Sequence, residues 1–166
     1  MASILDYMSP LGGQDACCDI IRDISKNPTR TKRDPVTGCW LFQGSTTKDG
    51  YGQIQRTMPR SPGHTGQAPE KAFSLHVIAA IAITGQNIPP GHHAAHRCNH
   101  ANCFYPPHMV VEPREMNMRR KGCAGVITCS HGHTMHVCTH TPTCVRPPVK
   151  VRCGESPKEP ASEIWI

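Results

Sequence analysis

The residues best suited to chemistry lie between His96 and Cys144. Cys98, Cys103 and His108 follow a C-x4-C-x4-H pattern, which sets three soft or borderline ligands on one compact loop. Structural zinc takes four such ligands in a tetrahedron, so a fourth must come from elsewhere. Cys39, isolated on an early strand, is the best candidate, and its recruitment would tie that strand to the second half of the chain. A second set follows: Cys138, His140 and Cys144 read C-x-H-x3-C, and Cys123 completes a Cys3His group. This stretch holds more donors than one ion can use, and Cys129 with His131 is a rival subset. The plain alternative for the first set is buried thiols with no metal.

Two further residues stand apart from the ligand sets. His96 lies two residues before Cys98, and a metal-fixed loop would hold its imidazole rigidly, as a general base requires. Asn117 shares a helix face with Arg114, Arg120 and Lys121 at spacings of three and four residues. An amide oxygen among cations suits a hard divalent ion that also touches phosphate oxygens. The competing reading makes His96 a surface imidazole and Asn117 a solvent-facing helix residue.

These side chains need elements to position them. Cys17, Ile20, Ile21 and Ile24 form one apolar stripe, which predicts an amphipathic helix over Gln14–Ile24 with Cys17 and Cys18 as core or neutral positions. Residues 25–35 read as a basic, Pro-punctuated loop. Residues 38–42 and 51–56 have strand character and flank a polar loop, so an antiparallel hairpin is expected. Residues 57–69 read as loop. The apolar run 70–84 predicts a buried helix whose first residues could be extended, ended by Gly85 and Pro89-Pro90. A further helix is expected to start at Pro113 and end at Gly122.

Composition explains why metal would matter. Of the 166 residues, 37% are hydrophobic and 5% aromatic, whereas Gly (14), Pro (16), Cys (10) and His (11) are abundant. Such a chain has little apolar material with which to offset its conformational entropy, so a metal- or disulfide-stapled domain is the leading class. The first fifteen residues have no basic start and no continuous apolar run, which predicts an intracellular, reducing setting and favours zinc over disulfides; within the cell the nucleus is the expected compartment. The longest apolar run, residues 77–83, is far short of the roughly 20 residues a membrane helix needs. The net charge is +6, concentrated in residues 26–60 and 112–152 at +5 each, which suits a polyanion such as nucleic acid.

The arrangement His96-x-Cys98-x4-Cys103-x4-His108-x8-Asn117-x5-Cys123, followed by C-x-H-x3-C, resembles the His-Cys box homing endonucleases. These belong to the wider ββα-metal (His-Me finger, HNH-like) nucleases. The resemblance runs over residues 38–146 and is densest from 95 to 146. It implies a Mg2+-dependent endonuclease that hydrolyses double-stranded DNA to 5′-phosphate and 3′-hydroxyl ends. His96 would be the general base and Asn117 the Mg2+ ligand. Cys39, Cys98, Cys103 and His108 would hold one structural zinc, and Cys123, Cys138, His140 and Cys144 the other. A sheet carrying Lys48, Gln53, Gln55 and Arg56 would lie in the major groove, where Gln and Arg can read base edges. Arg114 would take the place of the family's minor-groove wedge, with Arg120 and Lys121 beside it, and Arg60 or Lys71 would assist at the scissile phosphate. The resemblance also implies a homodimer that exchanges C-terminal tails, here ending Ile164-Trp165-Ile166.

The chain departs from the family between Cys123 and Cys138, where an extra stretch carries Cys129 and three histidines. The expected fold is therefore a small, loop-rich, zinc-stapled α+β domain with antiparallel hairpins and a ββα-metal motif. Residues 1–35 form an N-terminal helix and basic loop, 36–152 the nuclease domain and 153–166 a tail. Neither a membrane nor a small-molecule substrate is expected.

Overall fold

The stripe of Cys17, Ile20, Ile21 and Ile24 is buried in full, on a helix that packs against a second, mostly apolar one. The computed structural model describes residues 7–58 and 65–152. Arg60, Cys153 and the tail ending Ile164-Trp165-Ile166 lie outside the described residues. The elements run α1 (Met8–Leu11), α2 (Gly13–Lys26), β1 (Thr31–Arg33), β2 (Trp40–Phe42), β3 (Gln53–Thr57) and β4 (Glu70–Ser74). They continue with α3 (Leu75–Thr84), β5 (His92–His96), a 3-10 turn (Pro106–His108), β6 (Met109–Pro113) and α4 (Arg114–Lys121). The last three strands are β7 (Val126–Cys129), β8 (Thr134–His136) and β9 (Val149–Val151).

The expected hairpin between residues 38–42 and 51–56 is not formed. Instead β2 pairs antiparallel with β1, inside the segment read as loop, and β3 pairs antiparallel with β4. The reason is competition for the edges of β2. The Phe42 N–H donates to Asn102 O at 3.0 Å and the Phe104 N–H donates to Trp40 O at 3.0 Å, so its far edge is taken by the loop that carries Cys98 and Cys103. Trp40 packs on Phe104 and Tyr105 with ring centroids 5.8 and 4.6 Å apart, which closes the same seam with apolar surface. The run 70–84 divides as its sequence allowed: Glu70–Ser74 is extended and Leu75–Thr84 is helical. Gly85, at φ +68°, ends that helix in the left-handed conformation glycine takes without strain.

Two glycines beside Phe42 are required by close approach. A β-carbon on Gly44 would sit 2.4 Å from the Phe42 ring, and one on Gly52 would sit 3.0 Å from it. The core is one cluster built from α2, α3, Phe42, Ile54, Phe73 and Phe104, and it takes in the thiols of Cys39, Cys98 and Cys103. Beside it, β5 and β6 form an antiparallel hairpin across the long 97–108 loop, and α4 packs on both strands. The order β5–β6–α4 is a ββα unit. Pro113 ends β6 and caps α4, one residue later than the predicted helix start. The remaining strands form a sheet in the order β8-β7-β9, in which β7 and β9 are parallel. This makes the molecule a small α+β domain with short, mostly antiparallel sheets. Among the described residues no helix is long and apolar enough to cross a membrane.

Candidate metal centres and active site

Cys39, Cys98, Cys103 and His108 come together at the join between β2 and the 97–108 loop, all four buried, with their donor atoms within 4.8 Å of one another. The Cys39 Sγ lies 3.4 Å from His108 Nδ1, and the Cys103 Sγ lies 3.7 Å from the same nitrogen. A tetrahedron with ordinary Zn–S and Zn–N bonds has sulfur–nitrogen edges of about 3.5 Å, so the donors are spaced as zinc ligands. The protonation balance agrees with this. Hydrogen bonds from the Cys103 and Cys98 thiols hold Cys39 far below the ordinary thiol range. Cys103 is pushed far up, first by the same bond to Cys39 and then by Cys98 and burial. Three thiols in one dry spot cannot all ionise unless a cation joins them. His100 also reaches Cys39, its Nδ1 3.5 Å from the Sγ, but it is less buried than His108.

The second group, Cys123, Cys138, His140 and Cys144, is half-buried and equally close. The His140 Nδ1 lies 3.5 Å from Cys138 Sγ and 3.7 Å from Cys144 Sγ, again the edges of a zinc tetrahedron. Burial acts against ionisation of Cys138, but hydrogen bonds from the Cys144 and His140 backbone, then from His140 and Cys123, bring it down to about 6. Burial pushes Cys144 up to about 12, against the favourable contact with Arg120. Both donor sets fit zinc. Arg97 links the centres, donating from Nε to Thr143 O at 2.8 Å and from NH1 to Pro107 O at 2.9 Å.

His96 ends β5, directly before the first ligand loop. Its Nε2 lies 2.9 Å from Cys103 O and, facing a carbonyl, must donate to it. That leaves Nδ1 with the lone pair. Tyr51 and His76 stack beside it: the ring centroids are 5.8 Å apart for Tyr51–His96, 5.1 Å for His76–His96 and 4.8 Å for Tyr51–His76. Burial pushes His96 down to about 4, against the Cys103 hydrogen bond. It pushes His76 down to about 3, helped by repulsion from His96 and His93. His96 and Asn117 line one pocket of about 80 Å³ together with Tyr51, Asn99 and Lys121. Asn117, on α4, donates from Nδ2 to His93 Nδ1 at 3.1 Å, which leaves its Oδ1 as the acceptor.

Sequence reasoning passed over Tyr51, His76, His93 and Asn99. A signal did exist for His76, the only titratable residue in an otherwise apolar helix. His93 and Asn99 had none, because only the pairing of β5 with β6 and the packing of α4 bring them to the pocket.

The residues assigned to DNA separate clearly. Lys48, Gln55, Arg56, Arg114 and Lys121 are exposed, Gln53 is half-buried, and Lys71 stands opposite Arg56 across the β3–β4 ladder. Arg120 must be removed from that set. It is 1% exposed, and its Nε and NH2 donate to the two Glu112 carboxylate oxygens at 2.9 and 2.7 Å. Its NH1 donates to Pro142 O at 2.9 Å and reaches Cys144 Sγ at 3.4 Å. Arg120 therefore has no face left for phosphate; it braces α4 against β6 and the second metal loop. Arg146 completes the brace, its guanidinium donating to the carbonyls of Lys121 at 3.1 Å, Cys123 at 2.6 Å and Arg120, at the C-terminal end of α4.

Comparison with known proteins agrees with this construction. The model of the zinc-binding loop region of homing endonuclease matches residues 38–155. No curated protein matches the chain. With both ligand sets assembled inside the matched span, the chain belongs to the homing-endonuclease zinc-binding-loop family.

Proposed function

We propose that this protein is a Mg2+-dependent endonuclease of double-stranded DNA, with His96 as general base and Asn117 as the magnesium ligand. The family is one of homing endonucleases, whose partner is DNA. One observation carries the finer reading: His96 and Asn117, brought by β5 and α4 of a ββα unit, line the same small polar pocket.

Each residue has a part that follows from its contacts. The Cys103 carbonyl fixes the ring of His96, so Nδ1 is free to take a proton from the attacking water. His93 holds the Asn117 amide with Oδ1 outward, the hard oxygen donor that magnesium prefers. Magnesium bound there would stabilise charge on the phosphate oxygens and the leaving 3′ oxygen. Lys121, on the pocket wall, adds positive charge next to the phosphate. The two zinc centres are structural in this reading; they hold the 97–108 loop and the end of α4 so that the pocket is preformed. Lys48, Gln53, Gln55, Arg56, Lys71 and Arg114 form the DNA-facing set. The enzyme acts as a site-specific homodimer, as the resemblance implies, and its setting in this reading is the nucleus.

Incubation of supercoiled plasmid with protein and Mg2+ tests the reading. The wild type should nick and linearise it, leaving 5′-phosphates, and His96→Ala should lower the rate by about 10²- to 10⁴-fold while binding DNA as before. Plasmid that is bound in a salt-sensitive way yet stays intact would make the protein a DNA-binding module instead.

A further inference from the structure

A third group of donors lies outside both metal centres, on the turn between β7 and β8. Cys129 ends β7, and His131 and His133 belong to the turn. Gly132, at φ +84°, lets the chain reverse tightly, with its N–H donating to Cys129 O at 2.9 Å and the Cys129 N–H donating to His133 O at 3.0 Å. The reversal brings Cys129 Sγ to 3.5 Å from His133 Nδ1. The His131 ring lies 6.4 Å from that of His133. We propose that this turn is a third transition-metal site, taken by zinc or a similar borderline divalent ion, with Cys129 and His133 as ligands and His131 closing on the same ion.

Three observations support this. The sulfur–nitrogen distance equals that between Cys138 and His140 and falls among the edges of the other two centres. Thiolate and imidazole are the donor types that select zinc and its neighbours over magnesium or calcium. The hairpin also needs a staple. Thr134, Met135 and His136 of β8 are all exposed, Met135 to 60%, so no side chain of that strand enters the core. Only three residue pairs attach β8 to the sheet, and the one buried side chain of that ladder, Ile127, belongs to β7, so β8 itself is weakly held. His131 and His133 are exposed as well, so water competes with any simple thiol–imidazole hydrogen bond, whereas metal–ligand bonds withstand that competition. The same exposure leaves the ligands without ordered outer partners, which makes this site weaker than the two buried or half-buried ones by about 10- to 100-fold. The inference stands whether or not the chain cleaves DNA.

Cobalt loading of the full chain provides the test, because thiolate-to-cobalt absorption counts sites independently of activity. The wild type should take up three equivalents, the last of them removed by a mild competing chelator. Cys129→Ser and His133→Ala should each take up two, with the far-ultraviolet dichroism of the loaded protein unchanged. Two equivalents in the wild type, or three retained in both variants, would overturn the proposal. Should a variant not fold, alkylation of the wild type decides: Cys129 should react slowly when metal-loaded and rapidly after the mild chelator, while Cys39, Cys98 and Cys103 stay protected. A Cys129 rate that the chelator leaves unchanged would overturn the proposal equally.

Discussion

His76 carries more physical consequence than its place in an apolar helix suggests. Its Nδ1 is buried without a hydrogen-bond partner, and burial, then His96 and His93, lower its pKa to about 3. The unfolded chain binds the proton near pH 6.5, well above the folded value, so acid favours unfolding. The stability that depends on neutral His76 is complete above about pH 6.5 and is lost as the pH falls toward 3, by up to about 1.4 kcal/mol per unit. His76→Phe keeps the ring and removes the proton. Urea midpoints of the metal-loaded proteins, measured from pH 7 to 5, should therefore fall more steeply for the wild type than for this variant. Parallel slopes would acquit His76. At this scale the sequence was informative about ligands and poor about the pocket. Cys and His spacing reaches Cys98, Cys103 and His108, and the trio Cys138, His140 and Cys144, because a loop of four or five residues leaves donors little choice of partner; Cys39 is reached only as the best isolated thiol, and Cys129 with His131 stays a rival subset. Tyr51 lies just before β3, His76 on α3 and His93 on β5, and no local pattern connects them.

Helix α4 is the element through which the parts communicate. It carries Asn117 half-way along, and its last turn is gripped by Glu112 through Arg120 and by Arg146 on its terminal carbonyls. Helical spacing grouped Arg114, Asn117, Arg120 and Lys121, of which Asn117 and Lys121 line the pocket, but it could not say which would be buried. That depended on Glu112, which approaches from β6 and neutralises Arg120 in a dry site. Breaking the pair from one side leaves an unpaired buried charge. Glu112→Ala should therefore cost about 3–5 kcal/mol in chemical denaturation, far more than removal of the exposed Glu115. The pairing of β2 was missed for a similar reason. Three-residue strands carry almost no periodic signal, and the competing edge lies some sixty residues downstream.

In the whole molecule, metal and hydrocarbon share one core. Composition suggested that ligands would replace a missing apolar centre, yet the thiols of Cys39, Cys98 and Cys103 sit within a single cluster with Ile78, Phe73 and Phe104. Strong chelation of zinc should thus unfold the chain cooperatively, seen as loss of far-ultraviolet dichroism, whereas withholding Mg2+ should stop cleavage and leave the dichroism intact. The two centres differ in reach, since Cys123 and Cys144 span a short stretch while Cys39 must meet residues that follow it by about sixty positions. On a ribosome this difference becomes a clock. Cys39 emerges early and waits as an exposed thiol until His108 has cleared the exit tunnel, so the nascent chain passes through a long interval when it is open to oxidation and to the wrong metal. The ligands after Cys123 emerge close together and can be captured almost at once. The yield of active protein in a cell should accordingly depend on zinc supply during synthesis rather than after it.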